Sequence, residues 1–199
     1  MASAQLWNAN IHYHALLVEA IPSGARRVLD VGCGDGILAG QIAQTGVPHI
    51  VALDLDAGVL DRARVRHCGA AIEWLQGDIV TVPFESGSFD AVLSVAMLHH
   101  LNAEDALARF ADLVCPGGVV AIVGLAATSW WDRPYALVGH TALLALGLIR
   151  GKWDHAAPQV WPPPLTYREV KRIAKRVLPG VRYRRHLLDR YSLVWRKRA

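Results

Sequence analysis

Three glycines, three aspartates and a pair of histidines carry the chemistry legible in this chain. Gly32, Gly34 and Gly36 punctuate a turn that follows the apolar run Val28-Leu29-Asp30-Val31 and precedes a helix-like pattern beginning at Ile37. Glycine has no Cβ, so such a turn lets a small polar ligand approach backbone N–H groups at the positive end of the following helix. Asp30, Asp54 and Asp78 recur at even intervals, each at the end of a strand-like segment. A carboxylate about twenty residues beyond a glycine turn suits the vicinal hydroxyls of a ribose. The run from Gly34 to Ala39 also fits the G-x-G-x-x-G/A fingerprint of dinucleotide sites, so these residues alone leave a nicotinamide cofactor open. His99 and His100 follow a fourth strand-like segment. An imidazole there can take a proton from a hydroxyl or amine, because it titrates near neutrality. Cys33 sits where the turn must be small, with no adjacent His or Lys, and reads as packing rather than as a nucleophile.

Alternating elements must position these groups. Amphipathic periodicity predicts a helix over 11–21, stopped by Pro22; strands are expected at 25–31, 49–53, 71–75, 91–95 and 119–123. Helices are expected at 37–45, at 57–67 with Asp56 as N-cap, and at 103–114 capped by Asn102. Strands alternating with helices imply a mostly parallel sheet with helices on both faces and a ligand crevice at the strand C-termini, where the winding reverses. Beyond Gly124 the pattern changes to a loop at 129–134, an apolar helix over 136–149 and a proline-rich connection over 153–164. Thr166-Tyr167-Arg168-Glu169 is a capping box opening a helix to about Val177. Residues 181–188 and 190–196 alternate like two strands joined by a tight turn at Asp189.

Taken in order, Asp30-Val31-Gly32-Cys33-Gly34-Asp35-Gly36, Leu53-Asp54-Leu55-Asp56, Gln76-Gly77-Asp78-Ile79 and the stretch from Phe89 to Leu101 resemble the class I S-adenosylmethionine-dependent methyltransferases. The likeness covers about residues 25–124. It is nearest to the small-molecule branch, such as the ubiquinone and menaquinone biosynthesis methyltransferases, where F-D-x-V and L-H-H-L recur; Leu113-Val114-Cys115-Pro116-Gly117-Gly118 is similar to that family's L-x-P-G-G turn. The resemblance implies a Rossmann-like seven-stranded sheet whose last strand is antiparallel. It also implies that Asp54 holds the ribose, Asp78 the adenine amine, the Ile79 N–H a ring nitrogen and Leu55 the adenine face. Gly32, Cys33 and Gly34 would lie along the methionine end. Asp30 would orient the glycine loop or meet the amino group, and backbone near Ser94 and Val95 would complete that site. In this family the N-terminal helix commonly covers the pocket, which assigns Trp7, Tyr13 and His14 to a cap. The insertion bearing Trp130, Trp131, Trp153 and Trp161 around His140 would form a lid over a flat or greasy acceptor. His99 or His100 would serve as base.

One domain over 1–199 is expected: a cap helix (1–24), a cofactor core (25–124), an insertion (125–165) and a closing helix with strands six and seven (166–199). Three cysteines without a C-x-x-C pair argue against a disulfide framework or a zinc site, and no metal is expected. With no secretory signal and no run of transmembrane length, a cytoplasmic location is expected. The net charge of +4 comes from one end, since twelve of the twenty-one Lys and Arg residues lie between Arg168 and Arg198 at spacings that suit solvated faces. Nucleic-acid amino-methyltransferases commonly carry an acid, Asn or Ser followed by Pro-Pro and an aromatic after strand four. Ser94-Val95-Ala96-Met97 stands there instead, so the expected partner is a small molecule. A regulator or partner subunit that binds the methyl donor without turning it over is one alternative and an RNA or protein methyltransferase another; oligomeric state and the methylated atom are left open.

Overall fold

The computed structural model describes residues 7–130, 133–150 and 162–198. Seven strands form one sheet: β1 (Arg27–Val31), β2 (His49–Asp54), β3 (Ile72–Gln76), β4 (Phe89–Val95), β5 (Val114–Gly124), β6 (Arg182–His186) and β7 (Arg190–Arg196). Their spatial order is β3-β2-β1-β4-β5-β7-β6. The first five strands run parallel, and β7 lies antiparallel between β5 and β6. The winding therefore reverses between β1 and β4, as the alternation predicts. Continuous apolar runs such as Ala91-Val92-Leu93 and Val119 to Val123 are buried because helices cover both faces of the sheet.

On one face α1 (His14–Ala20), α2 (Ile37–Ala43) and α3 (Ala57–Arg66) bury Leu17, Leu38, Ile42 and Leu60 against the strands. On the other, α4 (Ala103–Leu113) and α6 (Tyr167–Val177) bury Leu107, Phe110, Val170 and Ala174. The caps match their sequence signals. Asp56 accepts from Gly58 and Val59 amides, Asn102 from Glu104 and Asp105 amides, and Thr166 with Glu169 closes a complete capping box. A short 3₁₀ turn, Ile11–Tyr13, precedes α1, held by Asn8 Oδ1 accepting from the Asn10 and Ile11 amides, both at 2.9 Å.

Most boundaries differ from expectation by one to three residues, and two of the differences have a clear structural cause. β5 begins at Val114, five residues early, because Val114 already pairs with Phe89 before the register shifts and resumes at Ala91 opposite Val119. β6 ends at His186 rather than 188, since Leu188 and Asp189 take φ of 60° and 54° and turn the chain into β7. Within the insertion, α5 (Arg133–Arg150) is the expected apolar helix. Its inner side packs through Ala142, Leu143 and Leu146 on Trp7 and Leu188, while Leu137, Leu144 and Leu148 face outward. Among the described residues no helix is long and apolar enough to cross a membrane. Trp131, Trp153 and Trp161 lie outside the described residues, as does the side chain of His140.

Candidate active site

A cavity of about 770 Å³ opens at the C-terminal ends of β1, β2 and β4. Its floor is the glycine turn. Gly32 has φ of 71°, and a Cβ there would come within 2.6 Å of Met97 Cγ, so the turn closes against β4 only through glycine. The Gly32 and Cys33 amides donate to the Leu53 carbonyl at 2.8 and 3.0 Å, seating the turn on β2. Gly34, with φ of 53°, is different: a Cβ there would meet nothing within 4 Å, and the residue lines the cavity.

Asp54 ties this turn to the loop beyond β2. Its Oδ2 accepts from the Gly34 amide at 2.9 Å and its Oδ1 from the Asp56 amide at 3.1 Å, fixing the carboxylate at the cavity wall. Leu55, next in sequence, lines the wall while 70% exposed, an apolar surface available to a flat ring. Asp78 and Ile79 follow β3 on the same wall, with Asp78 Oδ1 accepting from the Val80 amide at 2.9 Å. Arg109 on α4 braces this loop from behind. It donates to the carbonyls of Val82 (2.9 Å), Phe84 (3.2 Å) and Ile79 (3.5 Å) and pairs with Asp112 at 3.0 Å.

Asp30 is 1% exposed, borders the cavity, and its Oδ2 has no hydrogen-bond partner among the described residues. Burial and then the Asp54 charge push its carboxyl up to about 7, against a lowering contribution from the Ala39 amide. An orphaned acid of this kind calls for a cation. Burial, reinforced by Asp30 and Asp54, also pushes the Cys33 thiol well above its ordinary range, which removes it as a nucleophile.

At the opposite end, β4 leads through Ala96, at φ of 52°, into the 3₁₀ turn Leu98–His100. His99 and His100 both line the cavity, their rings 4.1 Å apart between centroids. Burial, then His100 and Arg190, hold His99 down at about 4; burial also lowers His100, opposed by Asp54. A neutral imidazole of such low basicity is a poor proton acceptor. His14 reaches the wall from α1, its Nδ1 paired with Gln41 Oε1 at 3.0 Å and its pKa lowered to about 4 by burial.

The cavity thus brings together Asp30, Gly32, Cys33, Gly34, Asp54, Leu55, Asp78, Ile79, Val95, His14, His99 and His100, and leaves out four residues expected beside it. Ser94 is fully buried and donates through Oγ to the Val31 carbonyl at 2.9 Å, stitching β4 to β1 instead of facing a ligand. Trp7 is buried beneath α5. Tyr13 is turned away, its hydroxyl donating to the Leu187 carbonyl at 2.6 Å. Trp130 is 62% exposed and off the wall. Sequence reading missed Asn10, Met97 and Arg190. Each needs the fold to reach the cavity, and Arg190 stands among twelve basic residues that share one stretch.

A cavity lined by Asp54, Asp78, the glycine turn and the orphaned buried carboxylate of Asp30 fits a nucleoside joined to a cationic amino acid, as in S-adenosylmethionine. Fold and site together define the class, and comparison with known proteins agrees. The methyltransferase domain model matches residues 29–122. An uncharacterized methyltransferase of Mycobacterium bovis is 44% identical over 193 residues, covering 96% of this chain and 98% of that protein. The fatty-acid O-methyltransferase of Mycolicibacterium smegmatis is 39% identical over 108 residues, 53% of this chain and 39% of that one. Among solved structures, the N-methyltransferase NodS of Bradyrhizobium japonicum superposes with a TM-score of 0.64 at 15% identity, covering 95% of this chain and 96% of that one. The chain belongs to the S-adenosylmethionine-dependent methyltransferases.

Proposed function

We propose that this methyltransferase transfers its methyl group to a small, partly apolar acceptor that enters between the N-terminal segment and the insertion. The observation that carries the reading is the continuity of the cavity. From the acids of β1 to β3 it runs without a break to a wall of Ile11, Met97, Leu101 and Leu125 beside His99. S-adenosylmethionine supplies, when bound, a methyl already activated on a sulfonium. The chain therefore has to orient, exclude water and hold the acceptor in line.

Asp54 and Asp78 hold the nucleoside, with Leu55 against the base. Asp30 meets the ammonium and is relieved of its unfavourable burial as it does so. His99 contributes a neutral wall, because its low basicity suits it poorly to removing a proton. The apolar lining favours an acceptor with a greasy body, in keeping with the fatty-acid methylation for which the M. smegmatis relative is named. Incubation with labelled methyl donor and a panel of phenols, quinols, amines and carboxylates tests the reading. Transfer to at least one of these is expected, and a folded, donor-binding protein that labels none of them contradicts it.

A further inference from the structure

Arg190 opens β7 immediately after the turn at Leu188 and Asp189 and brings its guanidinium to the cavity wall. Three of its N–H bonds are committed. Nε donates to Asn10 Oδ1 at 2.8 Å, and Nη1 donates to the carbonyls of Asp189 at 3.1 Å and Leu188 at 3.2 Å. These bonds fix the plane of the group and leave the two N–H bonds of Nη2 without an acceptor among the described residues, where Arg190 also forms no ion pair. A guanidinium keeps its charge even when enclosed, so a cation with one uncommitted edge borders the cavity.

Its place in the sheet decides which ligand meets it. From β1, where Asp30 lies, the order runs through β4 and β5 to β7, so the two strand backbones are three strand spacings or about 14 Å apart. Asp30, Asp35, Asp54, Asp56 and Asp78 gather at the β1–β3 end of the same cavity. The cavity is therefore polarised. A cationic donor belongs at the acid end, and an anion belongs at the end shared by Arg190 and His99, whose low basicity arises in part from the Arg190 charge. Burial lowers Arg190 from its ordinary value, opposed by Tyr167, then Asp189 and Tyr13, which favour its charged form.

Resting on the methyl-transfer reading above, we propose that Arg190 is the acceptor-binding residue and that the acceptor is a carboxylic acid, methylated on oxygen. One carboxylate oxygen accepts from Nη2, while Ile11, Met97, Leu101 and Leu125 seat the apolar remainder. An electron pair of the other oxygen forms the bond to the methyl carbon as the carbon–sulfur bond breaks and its pair stays on sulfur. The products are a methyl ester and S-adenosylhomocysteine. No proton is moved, so the step needs no general base.

The test uses the whole chain saturated with S-adenosylhomocysteine and two isosteric series, octanoate, 1-octanol and octylamine, and benzoate, phenol and aniline, each titrated by calorimetry and offered for methylation with the labelled donor. The carboxylate of at least one series should bind tightest and become an ester. In Arg190→Gln its affinity should fall about 10- to 100-fold while S-adenosylhomocysteine affinity stays within about twofold, and Arg190→Lys should recover part of the loss. The parent chain's preference for carboxylate over alcohol and amine reads the proposal even if Arg190→Gln does not fold. Preference for an alcohol or amine, failure of both carboxylates to bind, or unchanged carboxylate affinity in folded Arg190→Gln overturns it. A matching loss of S-adenosylhomocysteine affinity in that variant would place Arg190 in the donor site and overturn it equally. Failure of the parent to bind S-adenosylhomocysteine at all would instead remove the methyl-transfer reading on which the proposal rests.

Discussion

At the β1–β3 end of the cavity, the carboxylates and amides set toward a ligand sit at the C-terminal ends of strands or in the turns just beyond them. At the β5–β7 end, the corresponding groups come from Asn10 and Arg190, at opposite ends of the chain. The first arrangement uses backbone: glycine φ values, amides donated to Leu53 and Asp54, and carboxylates held by neighbouring N–H groups. Such a site is fixed by local sequence and suits a ligand that does not change. The second depends on side chains carried by the N-terminal segment and a hairpin, which can vary without disturbing the sheet. On the proposed reading, donor recognition is thus written in motifs and acceptor recognition in tertiary placement.

Substitutions can break this division in order of severity. Gly32→Val forces a β-branched residue to φ of 71° and against Met97, and should cost roughly 2–4 kcal/mol of stability by denaturant melt. Gly34→Ala, with open space beyond it, should cost only about 1–2 kcal/mol for its positive φ but intrude on the donor. Equal costs would mean that the two glycines share one structural duty. Asp54→Ala should weaken S-adenosylhomocysteine binding by roughly 1.5–3 kcal/mol, with Asn retaining part of the affinity. Parent-like calorimetry of the folded Ala variant would take Asp54 out of the donor half.

Asp30 gives a pH signature. Its folded-state carboxyl, raised to about 7 from 3.8, keeps a proton that the unfolded chain has already released. Stability of the unliganded protein must therefore fall as pH rises between these two values. Asp30→Asn should lose that slope, gain roughly 1–3 kcal/mol near pH 7.5, and bind the donor more weakly. Identical slopes in thermal melts of the two proteins would mean that Asp30 titrates normally.

The smallest effect is expected at the acceptor end. His99→Ala and His100→Ala should each lower turnover of a carboxylate less than about tenfold, with a flat profile between about pH 6 and 9, where a general base would contribute ~10²–10⁴-fold. A larger loss, with a pH-dependent limb, would restore proton removal to one of them.

The same division explains what could be read before the fold was known. Strand and helix periods, the caps at Asp56, Asn102 and Thr166, and the acids at strand ends are local signals; the elements appear in the expected order and the caps at the expected residues. The start of β5 was hidden because Cys115-Pro116-Gly117-Gly118 reads as a turn, although Val114 already pairs with Phe89. Ser94 was expected to contribute only backbone, and its side chain serves the sheet, with Oγ donating to the Val31 carbonyl. Trp7 and Tyr13 looked like pocket aromatics, yet the fold spends one under α5 and the other on a carbonyl at the β6–β7 turn. Nothing local distinguishes Arg190 from its basic neighbours, since its role depends on Asn10, 180 positions away.

The central claim is that the cavity at the ends of β1, β2 and β4 is the methyl-donor site. Calorimetric titration of the folded parent chain with S-adenosylhomocysteine tests it most directly. The account predicts one site per chain with a Kd in the micromolar range, about −8 kcal/mol. Absence of any binding heat at about millimolar ligand, where even a −4 kcal/mol interaction registers, would contradict it.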